Sequence, residues 1–509
     1  MSQSSSNKYK SKIIENNKDN KRKSILLNTE YDDSVSNLNS TTPSTPSTPI
    51  ISIPIPIKDN IRYKKDGSLR SKFGDFTFQP RESIFDKDVK WGSEFYGFFV
   101  AFWFCVFFSI LKVILNYYID NQSSSINDLK IVKLMYTDLL KVGMTDLLMY
   151  LTMYISVGLQ LLIKYQYIEW FKTGLILQSL FELLFVFVFM QFANYMDFPW
   201  IAKIFLLLHS LVMLMKIHSY AFYNGYLWNI KKELEFSESL LKKDDTSIEL
   251  QNSIEFCSFE LNIQSNKSPF PQNITIWNFF MYSMYPTLVY IIDYPRTDKI
   301  RKKYLFIKLL GIFGVISLMI AISESHLYPI VMKCLELRES SLYNRITQYP
   351  LIIIEIIPPF LTVYLLVFYL IWELICNAIA ELSYFADRDF YQYWWNSTDW
   401  NEYARDWNTI VHKFLLRHVY HSSISALQLN KFQATLVTFG LSSIVHELTM
   451  FVIYRKLRGY LLLLQMSQLP LIQLSKTKYM KDQKLLGNCI FWFGIVFGPS
   501  LMCTMYLVF

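Results

Sequence analysis

The stretch FQATLVTFGLSSIVHELTMFVIYR, from Phe432 to Arg455, decides the fold of this 509-residue chain. It is apolar over a length that crosses a hydrocarbon core of ~30 Å as an α-helix. Comparable blocks of about 18 to 25 residues recur along the chain, and 52% of all residues are hydrophobic. The aromatic share of 17% fits the preference of Trp and Tyr for membrane interfaces. The sequence therefore predicts an all-α polytopic membrane protein.

These apolar blocks predict about nine transmembrane helices. Their expected ranges are 95–118, 144–164, 173–193, 199–219, 304–323, 350–374, 432–454, 459–474 and 487–508. The eighth is the shortest. We find no internal repeat among them.

The rest of the chain divides by composition. Residues 1–72 are rich in Ser, Asn, Lys and Thr and contain TTPSTPSTPIISIPIPI at 41–57, which predicts a disordered tail. Residues 73–94 are more apolar and form a pre-membrane segment, expected to pack on the membrane domain at 95–509. Within that domain, 229–272 is a polar insert expected on the cytosolic side. Its KKELEFSESLLKKDDTSIELQ portion, at 231–251, favours a solvated helix or linker.

Charge gives an orientation and excludes some classes of protein. The net charge of +8 is spread over loops, which is not the footprint of a nucleic-acid-binding protein. Most basic residues outside the tail fall on loops of one parity, so the tail and the loop containing FYQYWWN are expected in the cytosol. The run RKLR at 455–458 departs from this pattern. The six cysteines show no CxxC spacing, and no HExxH motif is present, so we expect no metal site.

His446 is the candidate for chemistry. It lies about 14 residues from one end of its span and about 8 from the other, which places it ~21 Å and ~12 Å inside. Ser442, Ser443 and Thr449 lie one turn away and share its polar stripe. An ionisable residue at this depth usually faces a protein interior or an aqueous cavity. Two interpretations stay open: a proton acceptor, or a structural His bonded to a neighbouring helix.

A polar and aromatic belt, residues 390–420, precedes this span. In it, Trp407 and Asn408 offer neutral donors that could orient a carbonyl oxygen. Positive charge for the phosphates of a ligand is offered in and near the belt by Arg405, His412, Arg417 and Lys431. An amphipathic helix at the membrane surface would use the same residue types, so binding and purely interfacial roles both remain open.

Several motifs in order resemble the membrane-bound O-acyltransferases, specifically their sterol and diacylglycerol branch. The branch signature F-Y-x-D-W-W-N is matched by FYQYWWN, except that Tyr393 replaces Asp. WNTIVHK at 407–413 and SSIVHE at 442–447 follow, and PTLVYIIDYPRT at 286–297 resembles a further element. HKFLLRHVYHSS and the C-terminal GNCIFWFGIVFGPSLMCTMYLVF look closest to the yeast sterol O-acyltransferases. The resemblance covers roughly residues 73–509 and fades in the insert.

The resemblance implies an enzyme that transfers a long-chain acyl group from acyl-CoA to the 3β-hydroxyl of a sterol, with ergosterol or a precursor expected, to make steryl esters for storage. Diacylglycerol is the alternative acceptor. A transporter using His446 as a proton relay is a third hypothesis, which the missing repeats disfavour. The resemblance further implies a multi-pass protein of the endoplasmic reticulum with a cytosolic N-terminus, forming a homo-oligomer (dimer or tetramer). No nucleic acid partner and no cofactor are expected, since acyl-CoA is a substrate.

Site residues follow by position from the same resemblance. His446 corresponds to the catalytic His and Asn408 to its partner. The implied acyl-CoA contacts are Trp407, Arg405, His412, Tyr420, Lys431 and Ser442. The signature itself falls on Phe390, Tyr391, Tyr393, Trp394, Trp395 and Asn396. We interpret the Asp of the signature as a structural partner that a hydrogen-bonding phenol at Tyr393 can replace.

Overall fold

The computed structural model describes residues 62–63, 68–74, 76–88, 96–120, 130–242, 248–265, 267–480 and 482–509. The predicted tail at 1–72, with its proline-rich run, lies almost wholly outside these residues, as does the end of the pre-membrane segment. Within the described ranges the chain is helical, and extended pairing is limited to isolated bridges. The all-α polytopic fold is confirmed.

Twenty α-helices are described. They are α1 Ile84–Asp88, α2 Tyr96–Asp120, α3 Lys130–Tyr136, α4 Leu139–Thr152, α5 Tyr154–Lys164, α6 Leu175–Tyr195, α7 Trp200–Leu241, α8 Ile248–Ile263, α9 Ile276–Met284, α10 Lys302–Ile322, α11 Tyr328–Arg338, α12 Leu342–Phe368, α13 Cys376–Leu382, α14 Trp400–Asp406, α15 Thr409–Phe414, α16 His421–Ser425, α17 Lys431–Tyr454, α18 Tyr460–Met466, α19 Gln468–Ser475 and α20 Lys484–Val508. Wider π-helical turns at Trp170–Gly174, Ser323–Leu327, Tyr369–Ile375 and Leu415–Tyr420 join some of them.

Seven helical segments of the described chain are long and apolar enough to cross a membrane: Leu139–Lys164, Trp170–Tyr195, Trp200–Leu241, Lys302–Arg338, Leu342–Leu382, Lys431–Tyr454 and Lys484–Val508. They coincide with seven of the nine predicted spans. The first predicted span coincides with α2, a helix of 25 residues whose described apolar part is Phe99–Lys112.

The eighth predicted span, 459–474, is wrong. The structure places two short helices there, α18 and α19, which meet at Ser467. Pro470 lies in the first turn of α19, and proline has no N–H to continue the hydrogen-bond ladder of a preceding helix. Neither helix is long enough to cross a bilayer alone.

Two helices account for most of the described part of the predicted insert at 229–272. Its first part continues α7, which runs for 42 residues, and its second part is α8, which packs against α7. Ile230, Phe256 and Cys257 form a buried cluster between the two helices. The apolar residues on facing sides of α7 and α8 therefore hold the insert against the extended helix.

The pre-membrane segment is tied to the belt and to the membrane helices. Phe73 is buried and stacks on Tyr223 of α7 with ring centroids 4.5 Å apart. Arg81 pairs with Asp389 at 2.7 Å, and the Ser83 hydroxyl donates to Glu373 at 2.9 Å. These contacts join residues 150 to 308 positions apart in sequence and hold the segment against the membrane helices and the start of the belt.

Candidate active site

His446 lies on α17, and its side chain is exposed in the isolated chain. Its ring Nδ1 is 2.7 Å from the backbone carbonyl oxygen of Ser442. A carbonyl oxygen can only accept, so we assign the proton to Nδ1, which leaves the lone pair on Nε2. Nε2 has no hydrogen-bond partner within the described ranges. The alternative of a His bonded to a neighbouring helix is therefore not what the structure shows: the bond is to its own helix.

Glu447, the next residue, is buried and points into the protein. Its carboxylate accepts from the Tyr506 hydroxyl at 2.6 Å and from the Gly459 backbone N–H at 2.7 Å, with further N–H donors from Arg458 and Leu462. It thereby binds α17 to the start of α18 and to α20. Sequence reasoning noted the residue but missed this role; an acid directly beside His446 on a membrane helix was the available signal.

Asn408 caps the N-terminus of α15. Its side-chain Oδ1 accepts from the Val411 backbone N–H at 3.1 Å, which satisfies one of the unpaired donors of that helix end. The amide Nδ2 has no partner among residues that the structure describes. The cap thus orients the amide and leaves its N–H donors available for a ligand oxygen.

Trp407 is packed into an aromatic cluster. Its ring stacks on Tyr364 with centroids 5.0 Å apart and contacts Phe368 at 4.8 Å and Trp394 at 4.6 Å. Such ring pairs stabilise a fold beyond the apolar area they bury. Trp407 therefore positions its neighbour Asn408, while its contact with acyl-CoA stays a prediction.

Arg417 and His412 were both expected to offer positive charge to the phosphates of a ligand, and the structure gives both a different environment. Arg417 is buried and donates to the backbone carbonyls of Tyr290 at 3.1 Å and Phe73 at 3.2 Å. Its guanidinium therefore joins the belt to the pre-membrane segment and is not presented to a phosphate. Burial, with the nearby Arg405 charge acting in the same direction, lowers the pKa of His412 to about 4. The expected charge on His412 is absent at neutral pH, where it offers a neutral imidazole.

The other predicted acyl-CoA residues are more accessible. Arg405 is 48% exposed and forms an ion pair with the adjacent Asp406 at 2.8 Å. Lys431 is exposed at the first position of α17, whereas Tyr420 and Ser442 are half-buried. Thus α17 carries one group of candidates and the α14–α15 junction another. The π-helical turn at Leu415–Tyr420 packs on α17 and connects them, although no hydrogen bond between described atoms joins His446 to Asn408.

The FYQYWWN signature is mainly structural. Phe390, Tyr391 and Trp394 are buried. The Tyr391 hydroxyl donates to Glu373 at 2.7 Å. The backbone carbonyl of Trp395 accepts from two side chains of α20, at 3.1 Å each. The signature therefore fixes the belt between α12, α20 and the pre-membrane segment; its last residue, Asn396, is exposed.

Tyr393 faces the pre-membrane segment. It is 43% exposed, and its hydroxyl donates to the Asp88 carboxylate at 3.0 Å. This hydrogen bond raises the pKa of Tyr393, so the phenol stays protonated at neutral pH. The phenol thus makes a hydrogen bond at this position, and our interpretation that it replaces the Asp of the signature stays a prediction.

We expect Tyr393→Asp to leave the KM for acyl-CoA within about twofold, because exposed substitutions usually change free energies by less than ~0.5 kcal/mol. KM would be measured in membranes containing equal amounts of each protein. Tyr393→Phe is the matched control, since it removes only the bond to Asp88. A KM that falls tenfold in the Asp variant would show that the present site is impaired.

Within the described ranges, no three His, Cys, Asp or Glu side chains lie close enough to hold a metal ion. The expected lack of a metal or cofactor stays a prediction.

Comparison with known proteins shows which family the chain belongs to. The family model described as "MBOAT, membrane-bound O-acyltransferase family" matches residues 132–508. Sterol O-acyltransferase 2 of Candida albicans is 48% identical over 496 residues, spanning 89% of this chain and 81% of that protein. Sterol O-acyltransferase 2 of Saccharomyces cerevisiae is 49% identical and spans 82% of this chain and 67% of the relative. Diacylglycerol O-acyltransferase 1 of Dictyostelium discoideum is 33% identical across 48% of this chain and 38% of its own length. The chain therefore belongs to the membrane-bound O-acyltransferase family, in its sterol O-acyltransferase branch.

Proposed function

We propose that this protein transfers a long-chain acyl group from acyl-CoA to the 3β-hydroxyl of a membrane sterol. The observation that carries the proposal is the state of His446: Nδ1–H is held by a carbonyl of its own helix, and the basic Nε2 is unpaired among the described atoms. An imidazole in this state can accept a proton from an alcohol near neutral pH. Similarity along most of the chain to proteins named sterol O-acyltransferases supports a sterol as that alcohol.

The reaction needs no covalent enzyme intermediate. His446 Nε2 takes the sterol hydroxyl proton as the sterol oxygen attacks the thioester carbonyl carbon. The Ser442 carbonyl stabilises the imidazolium through Nδ1–H. Asn408 Nδ2 donates to the carbonyl oxygen as negative charge develops there. The carbon–sulfur bond then breaks, and the proton on Nε2 passes to the coenzyme A thiolate, which restores the neutral base.

Acyl-CoA binding is assigned to the cytosolic side. Arg405 is the accessible guanidinium of the belt, and a phosphate would replace Asp406 in its ion pair, since guanidinium forks bind phosphate and carboxylate in the same way. Tyr420 is the last residue of the π-helical turn that packs on α17, and Lys431 is the first residue of α17. Trp407, His412 and Ser442 complete the proposed contacts. This arrangement requires the belt and the N-terminus to face the cytosol. We propose that the membrane is that of the endoplasmic reticulum.

Diacylglycerol is the second candidate acceptor, because the chemistry at the hydroxyl is the same. The relative with that name matches less than half of this chain, whereas the sterol O-acyltransferases match more than four fifths. We propose ergosterol or a precursor as the sterol. We also propose a homo-oligomer, dimer or tetramer.

Expression in a yeast strain that lacks both steryl esters and triacylglycerol tests the acceptor. We expect labelled oleate to return in steryl esters with wild-type protein. Neutral lipids would be resolved by thin-layer chromatography, with a strain carrying His446→Ala as the control for residual host activity. Label that returns in triacylglycerol alone would contradict a sterol acceptor and favour diacylglycerol.

A further inference from the structure

A wide helical turn connects the two residues assigned to the chemistry. Asn408 caps α15, the π-helical turn at Leu415–Tyr420 follows α15 without a break, and this turn packs on α17, which carries His446. Because no hydrogen bond between described atoms joins Asn408 to His446, the shape of the turn contributes directly to the distance between them. The turn is therefore part of the geometry of the site, although the mechanism above uses only its last residue.

A π-helical turn needs support from its surroundings. It holds more residues per turn than an α-helix, is rare, and occurs frequently at functional sites. Conversion to an α-helix would rotate one side of the turn against the other by about 100° and shift it by about 1.5 Å. Asn408 would then lose its present placement relative to α17. Contacts from outside the segment must therefore keep the turn wide.

His418, in the middle of the turn, is bound to α7. Its Nε2 lies 2.8 Å from Oγ of Ser219, a fully buried residue of α7. The backbone N–H of Tyr290 donates to the same Oγ at 2.8 Å, so we assign the Ser219 hydroxyl proton to the bond with Nε2. Burial lowers the pKa of His418 well below its ordinary value, and nearby cationic groups act in the same direction. The imidazole is therefore neutral at cytosolic pH and can accept this bond.

Arg417, the preceding residue of the turn, is bound to the same residue from the other side. Its guanidinium donates to the backbone carbonyl of Tyr290 at 3.1 Å. Tyr290 is itself firmly held: it is fully buried, its hydroxyl donates to Asn278 at 2.5 Å, and its ring centroid lies 5.0 Å from that of Tyr220. Two consecutive residues of the turn are thus attached to one fixed residue, one directly and one through Ser219.

The hydrogen-bonded set that we call the turn clamp consists of Ser219, Tyr290, Arg417 and His418. We propose that the turn clamp keeps the turn in its π-helical form and thereby places the amide of Asn408 relative to the imidazole of His446. In this role Ser219 and His418 are positioning residues, since neither is assigned a contact with the reacting atoms. The inference rests on the proposed function, because it concerns the alignment of the two groups that perform that reaction.

His418→Phe in the full-length protein is expected to lower kcat about tenfold, because the bond to Ser219 is lost and Asn408 is displaced. The KM for oleoyl-CoA should stay within about twofold, since His418 and Ser219 are not among the residues assigned to acyl-CoA. Both constants would be measured in microsomes that contain equal amounts of each protein. His418→Gln, whose amide oxygen can accept from the Ser219 hydroxyl, should restore kcat to within about threefold of wild type.

Ser219→Ala tests the other partner of the bond. It removes the hydroxyl without adding bulk, so it remains informative if His418→Phe does not fold, and kcat should again fall about tenfold. The double variant should lose no more than the larger single loss, because both changes remove the same bond. Tyr349→Phe is the matched control: it removes a hydrogen bond of 3.0 Å to Thr504, between α12 and α20 and outside the turn clamp, and its kcat should stay within about twofold.

The pH dependence of kcat separates positioning from proton transfer. Because His418 is neutral across the physiological range, His418→Gln should leave the pH profile unchanged. A shifted profile, a kcat of His418→Phe and Ser219→Ala within about twofold of wild type, or a Gln variant as slow as the Phe variant would overturn the inference. A wild-type protein that forms no steryl ester would instead contradict the proposed function, so the two failures are distinguishable.

Discussion

Protein carrying His446→Ala is expected to lose ester formation by a factor of about 10² to 10⁴, the usual contribution of a general base. The physical reason is that Nε2 of His446 is the group assigned to remove the hydroxyl proton, whereas the carboxylate of the adjacent Glu447 is buried and already bound by Tyr506 and Gly459. Folding should be nearly unaffected, since the side chain bonds only to the Ser442 carbonyl of its own helix. The rate would be measured with labelled oleoyl-CoA in microsomes matched for protein amount.

His326→Gln is the matched control for this variant. His326 is another exposed imidazole on a membrane helix, bonded to Ser325 at 2.7 Å, and its loss should leave the rate within about twofold. Equal melting curves for the His446→Ala and wild-type proteins would exclude misfolding as the cause. Ester formation at the wild-type rate by His446→Ala would remove His446 from the reaction altogether.

Glu373→Ala is expected to destabilise the protein by about 3 kcal/mol, because breaking a buried ion pair leaves its partner uncompensated. Glu373 is 1% exposed, and its carboxylate accepts from Lys308 at 2.5 Å, Tyr391 at 2.7 Å and Ser83 at 2.9 Å. It joins a membrane helix, the signature and the pre-membrane segment. Lys308 keeps Asp86 at 2.9 Å, which sets the effect at the lower end of the usual range. The apparent melting temperature of the detergent-purified protein should fall by on the order of 5 °C.

Glu355→Gln is the matched control for Glu373→Ala. Glu355 pairs with Lys333 at a similar distance, 2.8 Å, but that pair is largely exposed, and such pairs contribute less than ~1 kcal/mol. The double variant Lys308→Met with Glu373→Met should recover part of the lost stability, since apolar residues of similar volume often replace a buried pair. A melting temperature of Glu373→Ala equal to that of Glu355→Gln would show that this network does not support the belt.

Sequence patterns predicted the membrane helices well for a physical reason. Hydrocarbon offers the backbone no hydrogen-bond partner, so a long apolar block must become a helix whatever surrounds it. The prediction failed at 459–474, where the apolar block is barely long enough for a span and Pro470 interrupts the backbone hydrogen bonds of a continuous helix. The packing of the insert at 229–272 could not be predicted from the sequence, because the apolar face of α8 becomes evident only once α7 is known to continue beside it.

The candidate site, too, could be predicted from the sequence only in part. His446 and Asn408 could be proposed from residue type, depth and motif order. The roles of Arg417, His412 and Tyr393 could not, because their environments come from distant parts of the chain. Arg417 binds the carbonyl of Phe73, and Tyr393 binds Asp88, across 344 and 305 positions. Burial determines the charge of His412, and burial is a property of the packed molecule.

The amino-acid sequence by itself determined that this protein is a helical membrane protein with one deeply placed base and a polar, aromatic belt before it. Those features depend on local composition, and each follows from what a bilayer permits. Only the tertiary structure decided that the signature is a structural anchor and that Glu447 holds the helix of His446. These facts depend on which side chains meet across helices, and long-range packing sets those meetings.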